Sequence, residues 1–158
     1  MSEAIMVSVD DIMQLVQSRE ITKAKEIAED LVKKDPENSD ALYALAVTQR
    51  INENFDLSLE NLEKIIKIRP DFGRAYQEKG NIYFHLGEND KAIIEYRKAL
   101  IHNNSLITSL RTLAGLLGKR GDLIEANSAL ESYKKLSKLP AELLTVRNMM
   151  AEKRYLKA

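Results

Sequence analysis

The chain has 158 residues whose 24 basic and 24 acidic side chains cancel, so overall charge favours neither nucleic acid nor a membrane surface as partner. Hydrophobic residues make up 44% and aromatics 6%, which suits helices packed with Leu, Ile and Ala, while the lack of cysteine excludes disulfides, thiolate metal sites and a thiol nucleophile. No apolar run is long enough to span a bilayer, and the opening residues lack a basic start followed by an apolar stretch; the chain reads as soluble, cytoplasmic and without a signal peptide.

In chain order, Val9, Ile12, Leu15 and Val16 recur at helical spacing before Arg19 and Glu20, and Ala24, Ala28 and Leu31 then lead into Asp35-Pro36. A second pair follows: Leu42, Leu45 and Ala46, a break at Asn52-Glu53-Asn54, then Leu59, Leu62, Ile65 and Ile66. The clearest pair opens at Asp71, positioned to cap a helix that carries Tyr76, Gly80, Tyr83 and Phe84. Gly87 to Asp90 supply turn chemistry, and Ala92, Ile93, Tyr96, Ala99 and Leu100 mark the partner helix. Ser105 is placed to cap the next pair, which has Leu110, Leu113, Ala114 and Leu117, a turn at Gly121-Asp122, then Ala126, Leu130 and Tyr133.

The same step of 34 positions relates all of these. One column holds Ala24, Ser58, Ala92 and Ala126; others hold Ala46, Gly80 and Ala114, Gly87 and Gly121, and Pro36 and Pro70. A fixed period of this length signals a stacked repeat array. Small residues in a column let paired helices approach closely, with Tyr83, Tyr96 and Leu130 filling the space beside them, and a large residue at Gly80 or Ala92 is expected to overpack the pair by about 1–3 kcal/mol. Proline stands only at unit ends, where it stops one helix without breaking another.

The run from Gly73 to Gly87, followed by Ala92, Tyr96 and Ala99, resembles a tetratricopeptide repeat (TPR). Lys79 departs from the family pattern where leucine is usual, Gln49 where an aromatic is usual, and Lys138 where the fourth unit would close with proline. The resemblance implies an all-α, right-handed superhelix in a single domain, 1–158, with repeats over about 5–38, 39–72, 73–106 and 107–139 and an incomplete fifth repeat or capping helix over 140–158. In that last segment Leu143, Leu144, Val146, Met149 and Met150 point in several directions, Glu152 to Arg154 resemble a between-helix turn, and Tyr155 to Ala158 resemble the opening of a second helix. Two readings follow: a longer protein cut inside its fifth unit, or a terminal cap with a short tail.

The family lines its concave face with the first helix of each pair. Transferred here, this makes Tyr43, Val47 and Arg50, then Arg74, Gln77, Asn81, Phe84 and His85, then Arg111, Thr112, Gly115 and Lys119, and finally Arg147 the candidate peptide groove. Amides and guanidinium groups suit a peptide's backbone and carboxylates, and aromatics suit its side chains. Family members that grip a chaperone's C-terminal carboxylate need Lys, Asn and Arg at set places on three first helices. Here those places hold Val9, Met13, Ala44 and Glu78 with only Arg74 agreeing, or, one unit on, Tyr43, Val47, Thr108 and Thr112 with Glu78 opposing, so that clamp is absent.

No catalytic constellation is visible. His85 and His102 sit on different helices without a ligand or carboxylate at metal spacing, His102 close to a helix end; Ser58, Ser105 and Ser128 have packing, capping and surface roles; no phosphate loop exists. Lys33-Lys34, Lys134-Lys135 and Lys153-Arg154 fall near helix ends, where cations suit the dipole. The expectation is a protein-interaction module with no metal or cofactor and no enzymatic activity, whose partner is a protein or peptide. Two alternatives stand beside it. The stretch from Leu136 to Ala158 resembles repeat arrays that precede bacterial sulfotransferase domains, which implies an accessory role; an exposed apolar C-terminal helix would instead support a homo-oligomer.

Overall fold

The computed structural model describes residues 8–153, apart from the side chains of Thr145, Met149, Glu152 and Lys153. All regular structure among them is α-helical: α1 (Val9–Gln17), α2 (Ile21–Lys34), α3 (Ser39–Ile51), α4 (Phe55–Ile68), α5 (Gly73–His85), α6 (Asn89–His102), α7 (Ile107–Arg120), α8 (Leu123–Ser137) and α9 (Ala141–Lys153). They gather into two compact units that divide between Pro70 and Asp71.

The turn inside each pair is one device used four times. Arg19, Glu53, Gly87 and Gly121 take φ of 66°, 59°, 75° and 92°, all in the left-handed region. Each is followed by a residue whose N–H reaches back five positions: Glu20 to Leu15, Asn54 to Gln49, Glu88 to Tyr83 and Asp122 to Leu117, at 2.8–2.9 Å. This is the Schellman arrangement, which satisfies the last carbonyls of the first helix. The residue that gives its N–H backward also offers its carbonyl forward, to Ala24, Ser58, Ala92 and Ala126, and so starts the second helix. Glycine accepts a positive φ without strain, whereas Arg19 and Glu53 carry it with a Cβ.

Helix starts depart from the sequence expectation. Asp71 and Ser105 cap nothing: the N-cap positions of α5 and α7 are Phe72 and Leu106, with no side-chain cap. Both are apolar and buried, so burial of a large side chain decides these positions over capping. Ser105 instead donates its N–H to Asn103 Oδ1 at 3.0 Å. Side-chain caps stand instead at α3 and α1, neither of them anticipated from the sequence: Asn38 accepts from Ala41 N–H, and Ser8 forms a reciprocal box with Asp11. The Ser8 backbone and hydroxyl hydrogen bonds hold the Asp11 carboxyl below its ordinary value.

In the first unit Ile12, Ala24, Ala28, Ala44 and Leu45 form a core under Val9, Val16, Ile27 and Leu31. Every residue from Ala41 to Gln49 on α3 is buried. In the second unit Ala92, Ile93 and Tyr96 of α6 meet Leu113, Leu116 and Leu117 of α7 and Ala126 of α8, with Tyr83 and Leu100 beside them. A further cluster of Leu110, Ala129 and Leu136 takes Leu144 from α9.

The small columns work as close approaches. Ala24, Ser58 and Ala92 are fully buried and Ala126 nearly so, and Ser58 Oγ donates to the Ala46 carbonyl across the hairpin at 2.7 Å. A Cβ on Gly80 would lie 2.8 Å from two atoms of the Tyr96 ring. The two columns covary: Gly80 goes with Tyr96, whereas Ala46 goes with Leu62 and Ala114 with Leu130.

Two of the three departures from the family pattern, Gln49 and Lys79, have polar answers on the neighbouring helix. Gln49 Oε1 accepts from Asn61 Nδ2 at 2.8 Å in a buried pair, and Lys79 Nζ, partly buried, lies 3.6 Å from Oε1 of the buried Glu95. Asn61 and Glu95 occupy one column, whereas Gln49 and Lys79 fall in different ones, aligned with Tyr83 and Leu45, so two successive pairs make a polar contact one helical turn apart. Glu152 and Lys153, expected in a between-helix turn, belong to α9; the reading of Arg154 and of Tyr155 to Ala158 lies outside the described residues.

Candidate peptide-binding face

The candidate residues divide between the units. In the first, Tyr43 and Val47 are buried on α3 and only Arg50 is partly exposed, so Tyr43 offers little surface to a guest. In the second, α5 presents Arg74, Gln77 and Asn81 half-buried, then Phe84 and His85 exposed, while α7 presents Arg111, Gly115 and Lys119 to solvent. On α9, Arg147 shares a depression with Asn104, Ser105, Met150 and Ala151, beside the loop between α6 and α7.

The geometry reassigns the amides. Ser109 Oγ donates to Gln77 Oε1 at 2.8 Å and ties α7 to α5. Asn81 Oδ1 accepts from the Tyr96 hydroxyl at 2.7 Å, while its Nδ2 donates to Glu78 at 3.1 Å. Both side chains are therefore builders of the second unit before they are ligand groups. The Arg74 guanidinium lies over the Phe72 ring, 5.1 Å from its centroid, and its Nε is buried. His102, expected at a helix end, does close α6, and there it stacks on Tyr76 with ring centroids 5.3 Å apart.

What remains open is a cationic strip on α7 and an exposed aromatic on α5. α7 contains no acidic residue, and neither Arg111 nor Lys119 has an ion-pair partner among the described residues. Between them Gly115 and Gly118 lie at solvent, with no heavy atom within 4 Å of where a Cβ would be. The same columns hold Asn81 and Phe84 on α5, so α7 is stripped of bulk where α5 carries it. Phe84, near the C-terminal end of α5, is 48% exposed. Sequence reasoning placed Arg111, Gly115, Lys119 and Phe84 on this face but missed Gly118, whose absent side chain was the available signal.

Among the described residues no three His, Asp or Glu side chains come together as a metal site, and no helix is long and apolar enough to cross a membrane. The tetratricopeptide repeat signature matches residues 73–106, and a second form of it matches residues 13–71. The chain belongs to the tetratricopeptide repeat family. That family is one of protein-interaction scaffolds. A TPR repeat-containing protein of Methanocaldococcus jannaschii is 32% identical over 120 residues, covering 72% of this chain and 20% of the relative. Hsp70-Hsp90 organizing protein 3 of Arabidopsis thaliana is 36% identical over 70 residues, 41% of this chain and 12% of the relative. Photosystem I assembly protein Ycf3 of Prochlorococcus marinus is 28% identical over 109 residues, 64% of this chain and 63% of that protein. The chain thus spans between an eighth and two thirds of the length of these relatives. Among solved structures, a crystal structure of MamA matches with a TM-score of 0.64 at 19% identity, over 95% of this chain and 79% of that one. MamA from Desulfovibrio magneticus matches with a TM-score of 0.65 at 19% identity, over 82% and 73%. At these identities the likeness shows the fold alone.

Proposed function

We propose that this TPR chain is an interaction module that holds an extended, acidic peptide against the first helices of its second unit, where α7 supplies a cationic strip. The observation that carries this reading is α7: two exposed cations without ionic partners among the described residues, eight positions apart, on a helix free of carboxylates. Eight residues of helix span about 12 Å, three to four residues of extended peptide, so carboxylates on a guest can meet Arg111 and Lys119 together. Gly115 and Gly118 let the guest's backbone approach the helix between them, and Phe84 receives an apolar side chain. Each exposed helix-interior glycine costs about 1 kcal/mol relative to alanine, a cost that packing here does not require.

The test is selection of peptides from a random library on the immobilised chain, followed by titration against Phe84→Ala/Arg111→Ala/Lys119→Ala. These three side chains have no structural bond that would be lost, unlike Asn81. Enriched peptides should carry Asp or Glu flanking an apolar residue, and the triple variant should bind them at least about tenfold more weakly, a loss of 1.4 kcal/mol. Peptides without acidic residues, or equal binding by the triple variant, refute the reading.

A further inference from the structure

The net charge of zero conceals a gradient. The first unit, up to Pro70, carries 14 acidic and 9 basic side chains, and the second, from Asp71, carries 10 acidic and 15 basic, so they stand at −5 and +5. Over the successive stretches 5–38, 39–72, 73–106 and 107–139 the balance moves from −3 to −2, +1 and +3. Every pair needs charged groups on its wet faces. Neither helix formation nor packing requires one sign in the first pair and the opposite sign in the fourth.

The excess gathers at the end of each hairpin that lies away from its turn. In the first pair Asp10 and Asp11 open α1, Asp30 stands in the last part of α2, and Asp35 and Glu37 follow it, outweighing Lys33 and Lys34. In the fourth pair Lys134, Lys135 and Lys138 close α8, and Arg111 stands near the start of α7, outweighing Glu131 and, on the first turn of α9, Glu142. All of these residues are exposed. Lys134 holds Glu131 at 3.2 Å, whereas Lys135 and Lys138, like Asp10, Asp30 and Glu37, have no ionic partner among the described residues. The second pair treats the same end differently, since Arg69 there lies 3.7 Å from Asp40 and the two signs meet within the chain.

We propose that the two unmatched ends meet between copies, the acidic end of the first pair of one chain docking on the basic end of the fourth pair of another. A second copy is the occupant that charge complementarity favours, because it brings the opposite excess in equal amount. A long polyanion drawn to the fourth pair would be repelled by the first unit to which that pair is joined. The contact sets one patch against a different one, so like charges are not opposed. Used reciprocally it closes a dimer, and used in one direction it extends a chain of copies. It is centred on the end of α8, apart from Gly115, Gly118 and Lys119 of α7, and does not depend on the peptide reading.

The experiment is sedimentation velocity of the full chain up to about 200 µM, a range that captures weak association. It is run at about 10 mM and about 1 M salt, where the Debye length is about 30 Å and about 3 Å. Two charge reversals at exposed positions accompany wild type: Asp30→Lys/Glu37→Lys on the acidic end and Lys135→Glu/Lys138→Glu on the basic end. Wild type should associate at low salt and at least about tenfold more weakly at high salt. Each reversed variant should sediment as a monomer with unchanged helicity, and a 1:1 mixture of the two should associate again, because the mixture restores opposite charges across the contact. That recovery also shows that both variants are folded. A wild type that stays monomeric at low salt overturns the proposal, as does association that high salt leaves unchanged. So do variants that associate alone as wild type does, or a mixture that stays monomeric.

Discussion

Alanine is the better helix former, so an interior Gly→Ala exchange should stabilise a helix by about 1 kcal/mol. Gly80→Ala should do the opposite. Its new Cβ would sit 2.8 Å from Cδ1 and from Cε1 of Tyr96, about 0.7 Å inside ordinary carbon contact. Tyr96 cannot easily retreat: it is 1% exposed, and its hydroxyl is held by Asn81 at 2.7 Å. Overpacking of this kind costs about 1–3 kcal/mol and loss of the hydrogen bond about 1 more. Less the helical gain, the variant should lose about 1–3 kcal/mol, which lowers a urea midpoint by about 0.5–1.5 M for an m-value near 2 kcal/mol/M. Circular dichroism and tyrosine fluorescence can follow the transition, since the chain has six tyrosines and no tryptophan. Gly115→Ala is the control, because nothing lies near its Cβ position and the helical gain should appear undiminished. Gly80→Ala/Tyr96→Leu should recover most of the loss, reproducing the Ala46 and Leu62 combination of the preceding pair. If Gly80→Ala raises the midpoint as much as Gly115→Ala does, close approach is not what the glycine is for.

Two further perturbations probe the polar layers. Glu95→Ala should cost about 1–3 kcal/mol by removing the buried carboxylate that faces Lys79 and Lys98, whereas Lys79→Leu/Glu95→Ala, the Leu113 and Ala129 combination of the following pair, should return toward wild-type stability; a double variant as weak as the single would show the ion pair to be indispensable. Glu125 has its folded-state value depressed by Arg97, so its contribution is present above the ordinary glutamate range and lost as pH falls through the folded value. Both partners are more than a third exposed, which limits the effect to about 0.2–1 kcal/mol. Wild type should exceed Glu125→Gln in urea midpoint at pH 7 and lose that margin at pH 3 or in 1 M salt; an equal margin at both pH values would remove the pair from the account.

Much of this molecule is written in its period. Helix positions follow from Ile12, Leu45, Tyr76 and Leu113 and their companions, because an apolar stripe at helical spacing needs only local geometry to be read. The hairpin turns at Gly87 and Gly121 and the close approach at Gly80 were visible for the same reason, since a residue without a side chain announces backbone demand. Arg19 and Glu53 hid the same turn, because their identities do not betray the left-handed conformation that pairing of the flanking helices imposes on them. Tertiary structure alone decided which polar groups were spoken for. Gln77 and Asn81 looked available as ligands until Ser109 and Tyr96 were found against them, and Asp71 and Ser105 looked like caps until Phe72 and Leu106 took those places by burial. A column of sequence specifies what a side chain can do; the helix packed against it determines whether that capacity has already been used.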